Sequence, residues 1–110
     1  MRSALLIGVL VAAVSGHAAA QAPDGKTLYD SMCKKCHGAT GTPSATMAKK
    51  FPKMLAFSDA KASSSKGTAE EIVALLVKGK GEDMKSFKEK LKADEMAAVA
   101  KYVKELAAKK

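Results

Sequence analysis

Two thiols and an imidazole stand together at Cys33-Lys34-Lys35-Cys36-His37. Residues three apart share one face of a helical turn, so both sulfurs can reach a single partner. A dithiol redox centre uses such a pair, but it expects a βαβ setting, and the pattern around these residues is helical. A structural zinc site needs four Cys or His ligands; the chain has two cysteines, and its other histidine, His17, lies in a segment expected to be removed. A disulfide between Cys33 and Cys36 would close too small a loop to stabilise much. What remains is covalent attachment of a c-type haem, the reading that C-x-x-C-H carries. Cys33 and Cys36 would become thioethers to the porphyrin, and His37 would follow as an axial ligand to iron.

A candidate for the opposite ligand lies in Lys78-Gly79-Lys80-Gly81-Glu82-Asp83-Met84-Lys85-Ser86-Phe87, a stretch too rich in glycine and charge for a regular element. Methionine more often fills cores, so Met84 in such a loop stands out. A thioether is a soft ligand suited to haem iron, and a His/Met pair raises the reduction potential. Met32, Met47, Met54 and Met96 compete for the role. Met32 and Met96 belong to helices that leave less freedom to reach the iron, whereas Met47 and Met54 lie in a less defined region. A second strong axial ligand also closes the sixth position to substrates, which leaves electron transfer as the natural task.

The elements that must position these groups are helical. Asp24 is the expected N-cap of a first helix in which Gly25, Leu28, Tyr29, Met32, Cys33 and Cys36 recur at helical spacing. One face thus carries both the apolar stripe and the haem anchors, with Tyr29 and Met32 read as core. The turn-rich stretch Gly38 to Ser44 ends the helix, and one of its carbonyls is expected to accept the Nδ1 hydrogen of His37. Ala45 to Lys50 reads as a short helix; Phe51, Met54, Leu55 and Phe57 form either one wall of the haem pocket or ordinary core. Ser58 to Gly67 reads as a surface loop without chemistry. Thr68-Ala69-Glu70-Glu71 is a capping box that opens a helix containing Ile72, Val73, Leu75, Leu76 and Val77, closed by Gly79. The last helix runs from about Lys92 to Ala108, with Met96, Val99, Ala100, Val103 and Leu106 inward and Lys101, Lys104 and Glu105 toward solvent. With no useful strand-like alternation after residue 20, the expected fold is all-α.

Residues 1–20 read as a signal peptide. Met1-Arg2 precedes an apolar run from Ala4 to Val14 that is too brief to span a bilayer comfortably, and Ala18-Ala19-Ala20 places cleavage before Gln21. No cysteine there offers a lipid anchor, so the expected product is exported, with no stable membrane insertion and with monomer as the default. Residues 21–110 form one small domain, whose modest core a covalent haem would reinforce as disulfides do elsewhere.

Taken together, these residues resemble the small class I cytochromes c, monohaem electron carriers of the bacterial periplasm. The likeness rests on Gly25 and Tyr29, on Cys33 through Gly38, on Met84 with Phe87 after it, and on Val99 and Tyr102. It implies about four helices around one covalently bound haem c, with Gly25 letting the first and last helices cross closely and Tyr102 packing over the crossing. It implies thioethers at Cys33 and Cys36 and axial iron ligands at His37 and Met84, and haem attachment in the periplasm. Two positions depart from the family. Proline often follows the ligand methionine where this chain has Lys85, and Ser or Thr often caps the last helix where it has Lys92.

The formal net charge of +8 falls by one if Arg2 leaves with the leader. Lys34, Lys35, Lys78, Lys80, Lys85, Lys88 and Lys90 all lie near the haem motif or the Met84 loop in sequence. A ring of them would steer the protein onto redox partner proteins with acidic docking faces; a solvated lysine surface that aids solubility is the other reading. Nucleic acid is a poor partner for an exported chain without arginine after residue 20. The function expected is a one-electron carrier cycling between Fe(II) and Fe(III), not an enzyme. The alternative is a haem-based sensor or peroxidase-like protein with a labile sixth ligand.

Overall fold

The computed structural model describes Gly8 and residues 23–109. Apart from Gly8, the expected signal peptide with its cleavage point before Gln21 lies outside the described residues.

Helix α1, Gly25–Met32, begins where the Asp24 carboxylate accepts from the Lys26 backbone N–H at 3.1 Å and from the Thr27 hydroxyl at 2.7 Å. Both bonds favour the ionised cap, and the Thr27 hydroxyl does most to hold Asp24 below the usual carboxylate range. The single helix expected to run through Cys36 is instead broken at Cys33, whose φ of −119° departs from helical geometry. The chain resumes as the single turn α2, Lys34–His37. Helix α3, Ala45–Lys50, falls on its expected span, with the Ser44 hydroxyl accepting from the Met47 N–H at 3.2 Å.

Ser58 to Gly67 is more built than a surface loop. It contains the single turn α4, Ser63–Lys66, and buries Ala62 and Ser64. The Ser64 and Ser65 hydroxyls donate to the Phe57 carbonyl at 3.0 and 2.6 Å. The ammonium of Lys104, expected to face solvent, donates to the carbonyls of Ser64, Ser65 and Gly67 at 2.9, 3.2 and 2.8 Å. The polar composition hid this packing because the polar groups satisfy one another.

Helix α5, Ala69–Lys78, opens on the expected box, with Glu71 N–H donating to the Thr68 hydroxyl and Thr68 N–H donating to the Glu71 carboxylate, both at 3.2 Å. Helix α6, Ala93–Ala108, has Lys92 at its cap, a residue with no side-chain acceptor. Glu95 recovers half of a box by accepting the Lys92 N–H at 2.9 Å, and Asp94 and Glu95 place negative charge at the positive end of the helix.

The core forms around α6. Met96, Val99, Ala100, Val103 and Leu106 meet Tyr29 from α1, Ile72 and Leu76 from α5, and Leu91. At the α1–α6 crossing a Cβ on Gly25 would overlap the Ala98 carbonyl oxygen and press on Tyr102 Cβ at 3.3 Å, so only glycine permits the approach. Met32, the last residue of α1, does not join this core and is 40% exposed. Among the described residues the fold is all-α, with one isolated bridge between Lys80 and Met84. The six segments exceed the four or so expected because two are single turns. Among the described residues no helix is long and apolar enough to cross a membrane.

Candidate haem site

Cys33 lies at the joint between α1 and α2 and Cys36 inside α2, each half-buried and neither in a disulfide. Burial, with a smaller contribution from Cys36, pushes the Cys33 thiol up to about 11. As a free dithiol centre this would be poor, since the nucleophile there is the thiolate. No group of three or more His, Cys, Asp or Glu side chains among the described residues is placed to hold a metal ion, which disfavours the zinc reading as well.

His37 ends α2, and its environment is specific. Its ring lies 4.9 Å from the Phe57 ring at 31°. Burial, helped by the field of the Lys80 ammonium, lowers its pKa and keeps the imidazole neutral, the state a metal ligand requires. Nδ1 is buried with no hydrogen-bond partner. The carbonyl expected for it in the Gly38 to Ser44 turn is therefore not in place. The adjacent Gly38 carbonyl is already taken, accepting the Tyr29 hydroxyl at 2.6 Å and the Gly41 N–H at 3.3 Å.

Two side chains named in the sequence have positioning roles that the sequence did not show. Tyr29, read as plain core, is fully buried, and its ring meets Phe57 and Tyr102 edge-on at 6.1 and 5.3 Å. Its hydroxyl fixes the backbone immediately after His37, and burial raises its pKa far above the ordinary phenol value, so it stays a donor. Phe57 is fixed at both ends of its peptide: its N–H donates to the Gly41 carbonyl at 3.0 Å, and its own carbonyl takes the two serine hydroxyls. Helical spacing flagged Tyr29, but a bond to a turn nine residues away leaves no periodic trace.

Met84 is partly buried against the core cluster. Its carbonyl accepts the Lys80 N–H at 2.7 Å, closing the turn expected to be irregular. The Lys80 field felt at His37 brings this loop within electrostatic range of the imidazole. Of the other methionines, Met96 is locked in the core and Met32 is exposed, while Met47 and Met54 are half-buried.

A family described as cytochrome C oxidase, cbb3-type, subunit III, matches residues 20–103. The chain belongs to that family of c-type cytochromes. A solved structure named KustC0563 c-type cytochrome is 34% identical to this cytochrome, with a TM-score of 0.65 over 76% of this chain and 96% of that one. No curated protein matches. Membership makes this a class I cytochrome c in an electron-carrier family, with covalently bound haem c.

The residues suit that group. Two free thiols and a neutral, half-buried imidazole with an orphaned, buried nitrogen are grouped within one turn. The large hydrophobics left exposed are Met32, Leu55 and Val77. Each lies within a few residues of a site segment, beside Cys33, Phe57 and the Gly79–Met84 loop respectively. Exposed apolar side chains next to those segments in sequence are compatible with a broad apolar cofactor.

Proposed function

We propose that this cytochrome is an exported, periplasmic one-electron carrier, with Cys33 and Cys36 anchoring haem c and with His37 and Met84 as axial ligands. The observation that carries the reading is the half-buried His37, its Nδ1 without a partner, held one residue after Cys36 and within the field of Lys80, a residue of the loop that carries Met84. Bound haem supplies a single iron centre that cycles between Fe(II) and Fe(III). The chain does the rest. Tyr29 and Phe57 hold the His37 ring and backbone so that little rearranges between redox states. Met84 would be the second protein donor to the iron. With both positions filled, no substrate reaches the metal, and the protein is a carrier and not an enzyme. The reduced protein should accordingly leave carbon monoxide unbound; ready binding would favour a sensor or peroxidase-like role with a labile sixth ligand.

Export rests on residues 1–20, where a basic start, a short apolar run and an Ala18-Ala19-Ala20 end form a cleavable leader. Intact mass of the protein from an exporting host should place the N-terminus at Gln21. Retention of Met1 would contradict this.

Partners are redox proteins with acidic docking faces. Lys80 has its field at His37, and Lys90 lies over the Phe87 ring at 5.9 Å, so positive charge borders the Met84 loop. Surface charges of this kind accelerate encounter and are screened over about 10 Å at 0.1 M salt. Electron-transfer rates with an acidic partner should fall steeply as salt rises from about 0.01 to 0.3 M. A flat profile would reduce the lysines to a solubilising surface.

A further inference from the structure

The loop bearing Met84 lacks the proline that often follows the ligand methionine in class I cytochromes c, and Lys85 occupies its place. Glycines at 79 and 81 add backbone freedom. Such a loop, left unrestrained, would release a methionine donor readily. The structure supplies a different restraint.

Helix α5 ends at Lys78 with carbonyls that have no partner inside the helix, and the loop returns to cap them. Gly79 N–H makes the last helical bond, to the Leu75 carbonyl at 2.6 Å; from the returning loop, Phe87 N–H donates to the Leu76 carbonyl at 2.8 Å and the Ser86 hydroxyl donates to the Val77 carbonyl. The same hydroxyl oxygen accepts the Lys88 N–H at 3.2 Å. Gly79 has a φ of 77°, and a Cβ there would lie 2.7 Å from Ser86 N and 2.9 Å from the Met84 carbonyl oxygen. The two ends of the loop are thus pressed together at the helix terminus. Of the three bonds to the carbonyl end of α5, two are made by backbone; the side-chain bond is that of Ser86, two residues beyond Met84.

We propose that Ser86 is a positioning residue for Met84, its hydroxyl pinning the returning loop to the end of α5 and holding the thioether at the iron where the family's proline is absent. The proposal rests on the assignment of Met84 as axial ligand. The two devices work differently. Proline removes conformations from the released loop, whereas the hydroxyl stabilises the docked one. An added ligand reads the docking equilibrium directly, because it binds only when the sixth position is open, and its apparent affinity scales with the open fraction.

The test is an imidazole titration of the oxidised, haem-loaded protein. Ser86→Ala should tighten imidazole binding about five-fold, the size of one net intramolecular hydrogen bond. Ser86→Thr, which keeps the hydroxyl, should return the affinity close to wild type. Met84→Ala sets the fully open limit and should bind far more tightly than either. Wild-type affinity in Ser86→Ala beside tight binding in Met84→Ala would overturn the clamp and leave the ligand assignment standing. Ser86→Thr behaving as Ser86→Ala would also overturn it, since the hydroxyl would then not be the cause. Wild-type affinity in Met84→Ala would refute the ligand assignment and the clamp with it.

Discussion

Met84→Ala is expected to leave haem on the chain while changing nearly every property of the iron. On the proposed attachment through Cys33 and Cys36, in a turn separated from the Met84 loop by α3, α4 and α5, haem should survive denaturation on the variant as on the wild type. The alanine methyl cannot ligate. The sulfur-to-iron band of the oxidised protein should vanish, the reduced protein should bind carbon monoxide, and the potential should fall. Axial ligation sets haem potentials over ~0.8 V, so a fall on the order of 0.1 V or more is expected. Folding should change little, because Met84 is only partly buried and packs at the edge of the core. A variant that kept the band would pass the ligand role to Met47 or Met54, the half-buried methionines of the 45–57 region.

Tyr29 carries the largest expected effect on stability. Its ring is fully buried and joins α1 to α6 through Tyr102 and to the site through Phe57. Tyr29→Ala removes a large aromatic from a packed centre and should cost about 3–5 kcal/mol, a large share of the ~5–15 kcal/mol that holds a small domain together. Tyr29→Phe separates the ring from the hydroxyl. It loses the bond to the Gly38 carbonyl, but that oxygen keeps the Gly41 N–H at 3.3 Å. The cost should therefore sit near the lower end of the range for an abandoned buried acceptor, about 1 kcal/mol, or roughly 4–8 °C in Tm. Denaturant midpoints for the two variants check both numbers; equal losses would mean that the hydroxyl and not the ring dominates, and no loss in either would contradict the packing account.

The sequence was informative wherever a residue type leaves few alternatives. C-x-x-C-H has one common chemical use in an all-helical setting, the Thr68–Glu71 box marks its helix by its own bonds, and the α6 stripe from Met96 to Leu106 is periodic over about three turns. Gly25 at the crossing was legible only through the family resemblance, and the structure shows why, since a Cβ there would overlap the Ala98 carbonyl oxygen. What could not be read depends on contacts between segments distant in sequence. Lys104 looked like a solvent-facing lysine, since nothing local shows that three carbonyls some forty residues earlier will meet its ammonium. Ser64 and Ser65 looked like loop residues for the same reason. Met32 shared the helical period of Tyr29 and still ended exposed. Lys85 in place of proline pointed to a loose loop, and the compensating bond from Ser86 to Val77 links a loop residue to a helix end that local patterning does not connect.

The central claim, that His37 and Met84 together close the iron of this cytochrome for electron transfer, is tested most directly by the near-infrared spectrum of the oxidised wild-type protein. A weak sulfur-to-iron band, present in the wild type and absent from Met84→Ala, is the result the structure leads one to expect. A wild-type spectrum without that band would contradict it.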